Sequence, residues 1–299
     1  MRQYIKYFFR EISDDNIDSM SSSIAYAFML SLFPFLIGVF AVLQILDQSA
    51  NIVQLAFDAM DDLIPEQVRV FVLEALKNVS YERTGSILVV SLVASIGFGS
   101  YGFKTIFAHL SRIMRDKKPR SFIWLTIVSI IFAAAAIIII AISSILLIAS
   151  NDLIYSISGA LGISSIVPKV LNTLRYPVVF LFLIISAGIV YRIGPKRKIP
   201  LRSIFVASFL FSVGWMIATF LFGLYVSRFG AYNVIFGTLT GVIIFLMWMY
   251  LSAFIFLSSA EIGRMHMDNR NKKNIIQNEK TEKDKMPEKN DSPFNKPEN

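Results

Sequence analysis

The residues that most invite a chemical reading lie together at 97–105. Gly97-Phe-Gly99-Ser-Tyr-Gly102 spells G-x-G-x-x-G, and Lys104-Thr105 follows like the end of a phosphate-binding loop. Both nucleotide-binding patterns need a strand before the glycines and a helix starting after them, so that backbone N–H groups point at phosphate. Here the glycines lie inside a continuous apolar run, and Phe103 stands where the loop lysine would be. Ser91, Ser95 and Gly99 recur every four residues, the small-residue face of a closely packed membrane helix. Gly237 and Gly241 repeat that spacing near the end of the sequence.

Acid–base and metal chemistry have no firmer footing. The two histidines, His109 and His266, have no acidic cluster nearby, and the dense acidic group Asp58, Asp61 and Asp62 has no histidine. No familiar metal-ligand spacing occurs. Cysteine is absent, which removes disulfides, thiolate nucleophiles and Cys-based metal sites. The expectation is a chain with no catalytic residues, no metal and no cofactor.

The elements that must carry these residues are membrane helices. Of 299 residues 55% are hydrophobic and only 17% charged, with mean hydropathy +0.60, whereas soluble domains carry about a quarter charged residues. The missing charge reflects apolar runs of bilayer length, about 20 residues each. Spans are expected near 24–46, 86–108, 121–149, 172–192, 204–227 and 234–260. The fold class is all-α, a polytopic membrane helix bundle of about six transmembrane helices. The first run is too long for the core of a cleaved signal and stays as a span. The membrane domain covers 1–265, and the polar tail at 266–299 has too little to bury and is expected to be disordered.

Basic residues set the orientation. With the N-terminus inside, the inner segments hold 22 Lys and Arg and the outer ones 6, the bias of cytoplasmic loops. The topology is N-in and C-in. Topology accounts for the bases, so the pI near 9.6 does not indicate nucleic-acid binding. The outer loop at 47–83 carries net charge −4 and has apolar residues at helical spacing (Ile52, Leu55, Ala59, Leu63) interrupted by Pro65. Two short amphipathic helices are expected there, as a cap over the bundle or as a lid or vestibule. Near the start, Tyr4, Ile5, Phe8, Phe9 and Ile12 alternate helically with Arg2, Lys6 and Arg10, which suits an interfacial helix. Asp14 or Asp15 is expected to cap the turn into the first span.

Within the spans no ionisable side chain lies at mid-depth. Lys104, Arg192 and Glu261 fall at the inner interface, where Lys104 can snorkel. Glu261 is expected either to pair with Lys104, Arg112 or Arg192 or to remain a solvated carboxylate. Tyr26, Ser31, Ser95, Tyr225 and Asn233 form the candidate polar path. Pro34 and Pro177 are expected either to break two helices and free carbonyls or to act as packing kinks, with Gly99, Gly237 and Gly241 as packing positions.

Several stretches resemble one known family, the YihY/virulence factor BrkB family. They are Ser23-Ile-Ala-Tyr26-Ala-Phe-Met-Leu-Ser31-Leu-Phe-Pro34, Ile64-Pro65 and Tyr191-Arg192-Ile-Gly-Pro195-Lys-Arg197. A longer one runs from Gly223 through Tyr225, Arg228, Tyr232, Asn233 and Phe236 to Gly237, followed by Leu246-Met-Trp248-Met-Tyr250 and Ala260-Glu261. The resemblance covers about 1–265. The chain departs at Phe236, where the family usually has tyrosine, at Ser258-Ser259, and near Ala207, where a glycine is usual. The resemblance implies a multi-pass protein of the bacterial inner membrane. Members have been labelled ribonuclease BN, virulence factors or transporters.

The leading expectation is a transporter or exporter of a lipid or amphipathic metabolite, since a lipid headgroup can cross a polar, uncharged groove while its tail stays in the bilayer. An osmolyte or ion exporter is the alternative within transport, and a structural or assembly factor is the alternative outside it. The expected partners are membrane lipids, with a second copy or another membrane protein as further options and no nucleic acid.

Overall fold

A computed structural model describes residues 10–46, 85–118, 120–139, 166–227 and 238–285. Every regular element among them is helical. In chain order these are α1 at 10–14, α2 (Ile17–Leu46), α3 (Gly85–Ile113), α4 (Phe122–Ile139), α5 (Ile166–Ile193), α6 (Leu201–Ser227) and α7 (Thr238–Lys285). Phe122–Ile139, Leu201–Val226 and Thr240–Asp268 are long and apolar enough to cross a membrane, and Pro177–Ile193 is a shorter apolar helix. Their outer faces are apolar, with Phe122, Ile123 and Ile131 on α4, Val178 and Phe182 on α5, and Phe205, Phe220 and Leu221 on α6 all exposed. Such surfaces suit lipid and not water.

The helices pair as antiparallel neighbours. The largest contact joins α2 to α3; α7 lies against α6 and α2, and α5 against α6. Small residues let the backbones approach. A Cβ on Gly38 of α2 would lie 2.7 Å from Ser95 Cβ of α3, and one on Gly99 would lie 3.3 Å from Phe35. A Cβ on Gly102 would meet Ser31 Oγ at 3.2 Å. The glycine motif at 97–102 is therefore part of a helix seam, with Gly97 alone of the three facing open space. Gly263 of α7 abuts α6 in the same way, its Cβ position 2.9 Å from Ala207 Cβ.

A large buried cluster gathers at one end of the bundle. Ile17, Met20, Ile24, Leu110, Ile113, Tyr191, Ala207, Leu257, Ala260 and Met267 form one buried cluster there. Tyr191 stacks on Phe256 at 4.5 Å and donates its hydroxyl to the Phe256 carbonyl at 2.8 Å. This end carries α1, the α3–α4 and α5–α6 connections and the middle of α7. It is also where Arg112, Arg115, Lys117, Lys118, Arg120, Lys196, Arg197 and Lys198 lie, and is called the basic end below.

Several sequence expectations change. Pro34 and Pro177 sit inside helices that continue on both sides, so neither breaks its helix. The turn into α2 pivots at Asn16, whose φ is 54° and whose carbonyl accepts from Met20 N–H. Asp14 instead pairs with Arg10 at 3.5 Å, and Asp15 approaches Arg115 at 3.8 Å. The expected disorder from 266 gives way to helix as far as Lys285. A helix already nucleated in the membrane propagates with one hydrogen bond per added residue and needs no core of its own. The outer loop at 47–83, the start of the interfacial helix and residues 286–299 lie outside the described residues.

Candidate functional site

A network of buried charge closes the basic end. Its hub is Arg264, three residues beyond Glu261 on α7 and so on the same helix face. Glu261 is 0% exposed and Arg264 2%. Arg264 donates to Glu261 through Nε, at 3.0 Å to Oε2, and through Nη2, and to Asp268 Oδ2 through Nη1 at 3.0 Å. Nη2 also reaches Glu11 Oε2 on α1 at 2.9 Å. The same Glu11 oxygen accepts from Arg115 Nη2 at 2.5 Å. On the far side Asp268 Oδ1 accepts from Arg197 at 2.9 Å. Asp116 then accepts the backbone N–H groups of Lys196 and Arg197 at 2.7 and 2.9 Å. One clasp thus ties α1, both short connections and α7 together.

Local backbone geometry makes the clasp possible. α3 ends in a Schellman turn: Arg115 N–H donates to the Arg112 carbonyl and Asp116 N–H to the Ser111 carbonyl, with Arg115 at φ 53°. Glycine usually takes that left-handed position. Arginine holds it here with its guanidinium on Glu11. An ionic group buried in an apolar setting is costly unless fully paired. Glu261 meets that condition through Arg264, which corrects both expectations for it: its partner is neither Lys104, Arg112 nor Arg192, and it is not solvated. Lys104 instead lies 3.3 Å over the Phe122 ring, and Arg192 donates to the Ile199 carbonyl at 2.6 Å. The carboxylates of Glu11, Asp15 and Glu261 could share a metal ion, lying within 4.8 Å of one another. Arg264, however, already bridges Glu11 and Glu261 and stands where such a cation would.

The candidate path residues that are described do not converge. Ser31 is buried in the α2–α3 seam and bonds the Ala27 carbonyl of its own helix at 2.7 Å. Ser95 is buried in the same seam against Gly38. Tyr26 is 60% exposed on α2, and Tyr225, on α6, is also exposed and stacks with Phe222 at 6.2 Å. Gly241 lies in the first turns of α7; Asn233 and Gly237 lie outside the described residues.

A different polar line is present on α6. Ser208, Ser212, Trp215 and Thr219 follow i, i+4, i+7, i+11 spacing and so share one face. Gly188 of α5 lies against Ser208, where a Cβ would be 3.3 Å from its Oγ. Trp215 faces α7, donating to Ser252 Oγ at 3.1 Å and lying 6.0 Å from the Trp248 ring. The stripe therefore runs between α5 and α7. Ser208 is 1% exposed and its hydroxyl has no partner among the described residues; Thr219 Oγ1, Trp248 Nε1 and Ser258 Oγ are likewise buried and unpartnered. The sequence carries this stripe as hydroxyl and indole residues at helical spacing, a weaker signal than the glycines and prolines of the other spans. Asp18, exposed in the first turn of α2, accepts a hydrogen bond from Tyr250 of α7.

Comparison with known proteins places the chain among relatives. The family model described as Virulence factor BrkB matches residues 8–284. The ribonuclease-like protein YfkH of Bacillus subtilis (strain 168) is 27% identical over 88% of this chain and 94% of its own length. A UPF0761 membrane protein of Psychromonas ingrahamii is 25% identical over 87% of this chain and 86% of its own. No solved structure matches. The chain belongs to the BrkB family and is a multi-pass protein of bacterial membranes.

Proposed function

From the premise of a BrkB-family membrane protein, we propose that the chain is a transporter or exporter of a lipid or amphipathic metabolite. It spans the membrane six times with both ends inside. The observation that carries this reading is the polar stripe of α6. A buried polar atom in an apolar setting costs about 1–3 kcal/mol when unpaired. Ser208, Thr219, Trp248 and Ser258 each leave one such atom unmatched inside apolar helices. A hydrated or headgroup-lined path along the stripe would supply the missing partners. Hydroxyl and indole donors suit the acceptor oxygens of a lipid headgroup, while the tail stays against the apolar outer faces. The clasp on Arg264 then acts as the closure at the cytoplasmic end.

The name of the Bacillus relative raises ribonuclease chemistry, and the histidine positions speak against it here. His266 Nδ1 is bonded to Ser203 Oγ at 3.1 Å on the α6–α7 contact. His109 lies on α3, half buried, beside Arg112. Neither joins the acidic group of Glu11, Asp15 and Glu261.

The test is reconstitution in liposomes, measuring translocation of a fluorescent lipid against efflux of a trapped osmolyte. Lipid translocation that falls in Ser212→Leu and Thr219→Val, with folding intact, is the expected result. Osmolyte efflux without lipid movement would favour the second transport reading. Neither activity in folded protein would leave a structural or assembly role.

A further inference from the structure

The bases at the basic end are not all used alike. Arg115, Arg197 and Arg264 are consumed by the clasp. Lys104 and Arg120 are not: among the described residues neither has an ion pair, and each lies over an aromatic ring at the start of α4. Lys104 Nζ is 3.3 Å above Phe122, and the Arg120 guanidinium carbon is 4.0 Å from the Trp124 ring. One edge of Arg120 is engaged, Nη2 donating to the Pro195 carbonyl at 3.2 Å, while its Nε is shielded and without a partner among the described residues. The neighbouring acid, Asp116, is already committed to the amides of Lys196 and Arg197. No described carboxylate neutralises this corner.

We propose that the α3–α4 corner binds the headgroup of an anionic phospholipid. The phosphate meets Lys104 and Arg120 from the water side of the interface. α4 adds the positive end of its dipole, with one first-turn amide, Trp124 N–H, already held by Ser121 Oγ at 3.3 Å. The acyl chains run down the exposed apolar ridge of Phe122, Ile123, Ile127 and Ile131. A ring under each cation keeps it at the headgroup level, as interfacial aromatics do. Two unneutralised bases favour a lipid with net negative charge over a zwitterionic one. This site is separate from the α6 stripe and stands whether or not the protein transports anything.

The experiment uses full-length protein purified in mild detergent with added phosphatidylglycerol or phosphatidylcholine, and reads retained lipid by native mass spectrometry. Wild type should retain phosphatidylglycerol preferentially. Lys104→Gln with Arg120→Gln should lower that retention by about tenfold or more and leave phosphatidylcholine unchanged. Lys117→Gln with Lys118→Gln, the same charge change a few residues away on exposed side chains, should have little effect. Equal loss in both double variants, or loss in neither, overturns the site. Adding inorganic phosphate separates the sources: competition at millimolar concentration would mean a free-phosphate site and overturn the lipid assignment. If the glutamine pair does not fold, quenching in the wild type decides. Brominated phosphatidylglycerol should then quench tryptophan emission more than brominated phosphatidylcholine does, and equal quenching overturns the proposal.

Discussion

At the scale of single residues, the clasp shows how burial decides what a charge is worth. Arg115 and Arg264 donate to the same oxygen of Glu11, yet the Arg115 side chain is 50% exposed and that of Arg264 3%. A half-exposed pair contributes about 0–1 kcal/mol, and Arg115 also bears the cost of a left-handed backbone. Arg115→Gly should therefore change stability by less than about 1 kcal/mol, because glycine relieves the backbone as the ion pair is lost. Arg264→Met should cost about 3–5 kcal/mol, because it strands the Glu261 carboxylate without a partner. Thermal unfolding of both variants in one detergent checks the contrast; equal losses would mean that the clasp is not graded by burial. Little of this was legible in the sequence. Glu261 and Arg264 are visible at i, i+3, but the link from Glu11 to Arg264 spans most of the chain and exists only once α1 folds over the basic end.

At the scale of elements, the helices were legible and their joints were not. Helices α3, α5 and α6 overlap the apolar runs at 86–108, 172–192 and 204–227, with α3 continuing to Ile113 and α5 starting at Ile166, because bilayer-length hydrophobicity needs no tertiary information. α2 starts earlier than expected, at Ile17, since Asn16 can take the left-handed turn that lets α1 fold back. The small-residue face at Ser95 and Gly99 was readable from spacing, but its partner, Gly38, was not. A matched pair tests the seam. Gly38→Leu has to displace Ser95 from 2.7 Å, so it should lower stability by about 1–3 kcal/mol or more. Gly97, the first glycine of the G-x-G-x-x-G motif on the facing helix, meets nothing within 4 Å, so Gly97→Leu should be close to neutral. A Gly97 variant as damaging as the Gly38 one would return the motif to a role beyond packing.

At the scale of the whole molecule, a closed, charged basic end meets a polar line that runs along α6 through an apolar bundle. The proposed six-span topology predicts that reporter fusions after residues 115 and 197 read cytoplasmic while those near 60 and 160 read external; a cytoplasmic signal at 60 would remove the proposed orientation. Transport needs more than topology, because the stripe of Ser208, Ser212, Trp215 and Thr219 must be reached by something polar. The absence of cysteine from the chain makes that directly measurable. Single cysteines at 212 and 219, on the stripe, are compared with cysteines at 217 and 220, where Ile217 and Phe220 face outward. Each is exposed to a charged, water-soluble thiol reagent in native membranes. Positions 212 and 219 should react and positions 217 and 220 should not. Labelling absent at 212 and 219, in protein that folds and inserts normally, would mean that the stripe is sealed packing and would contradict the transport path.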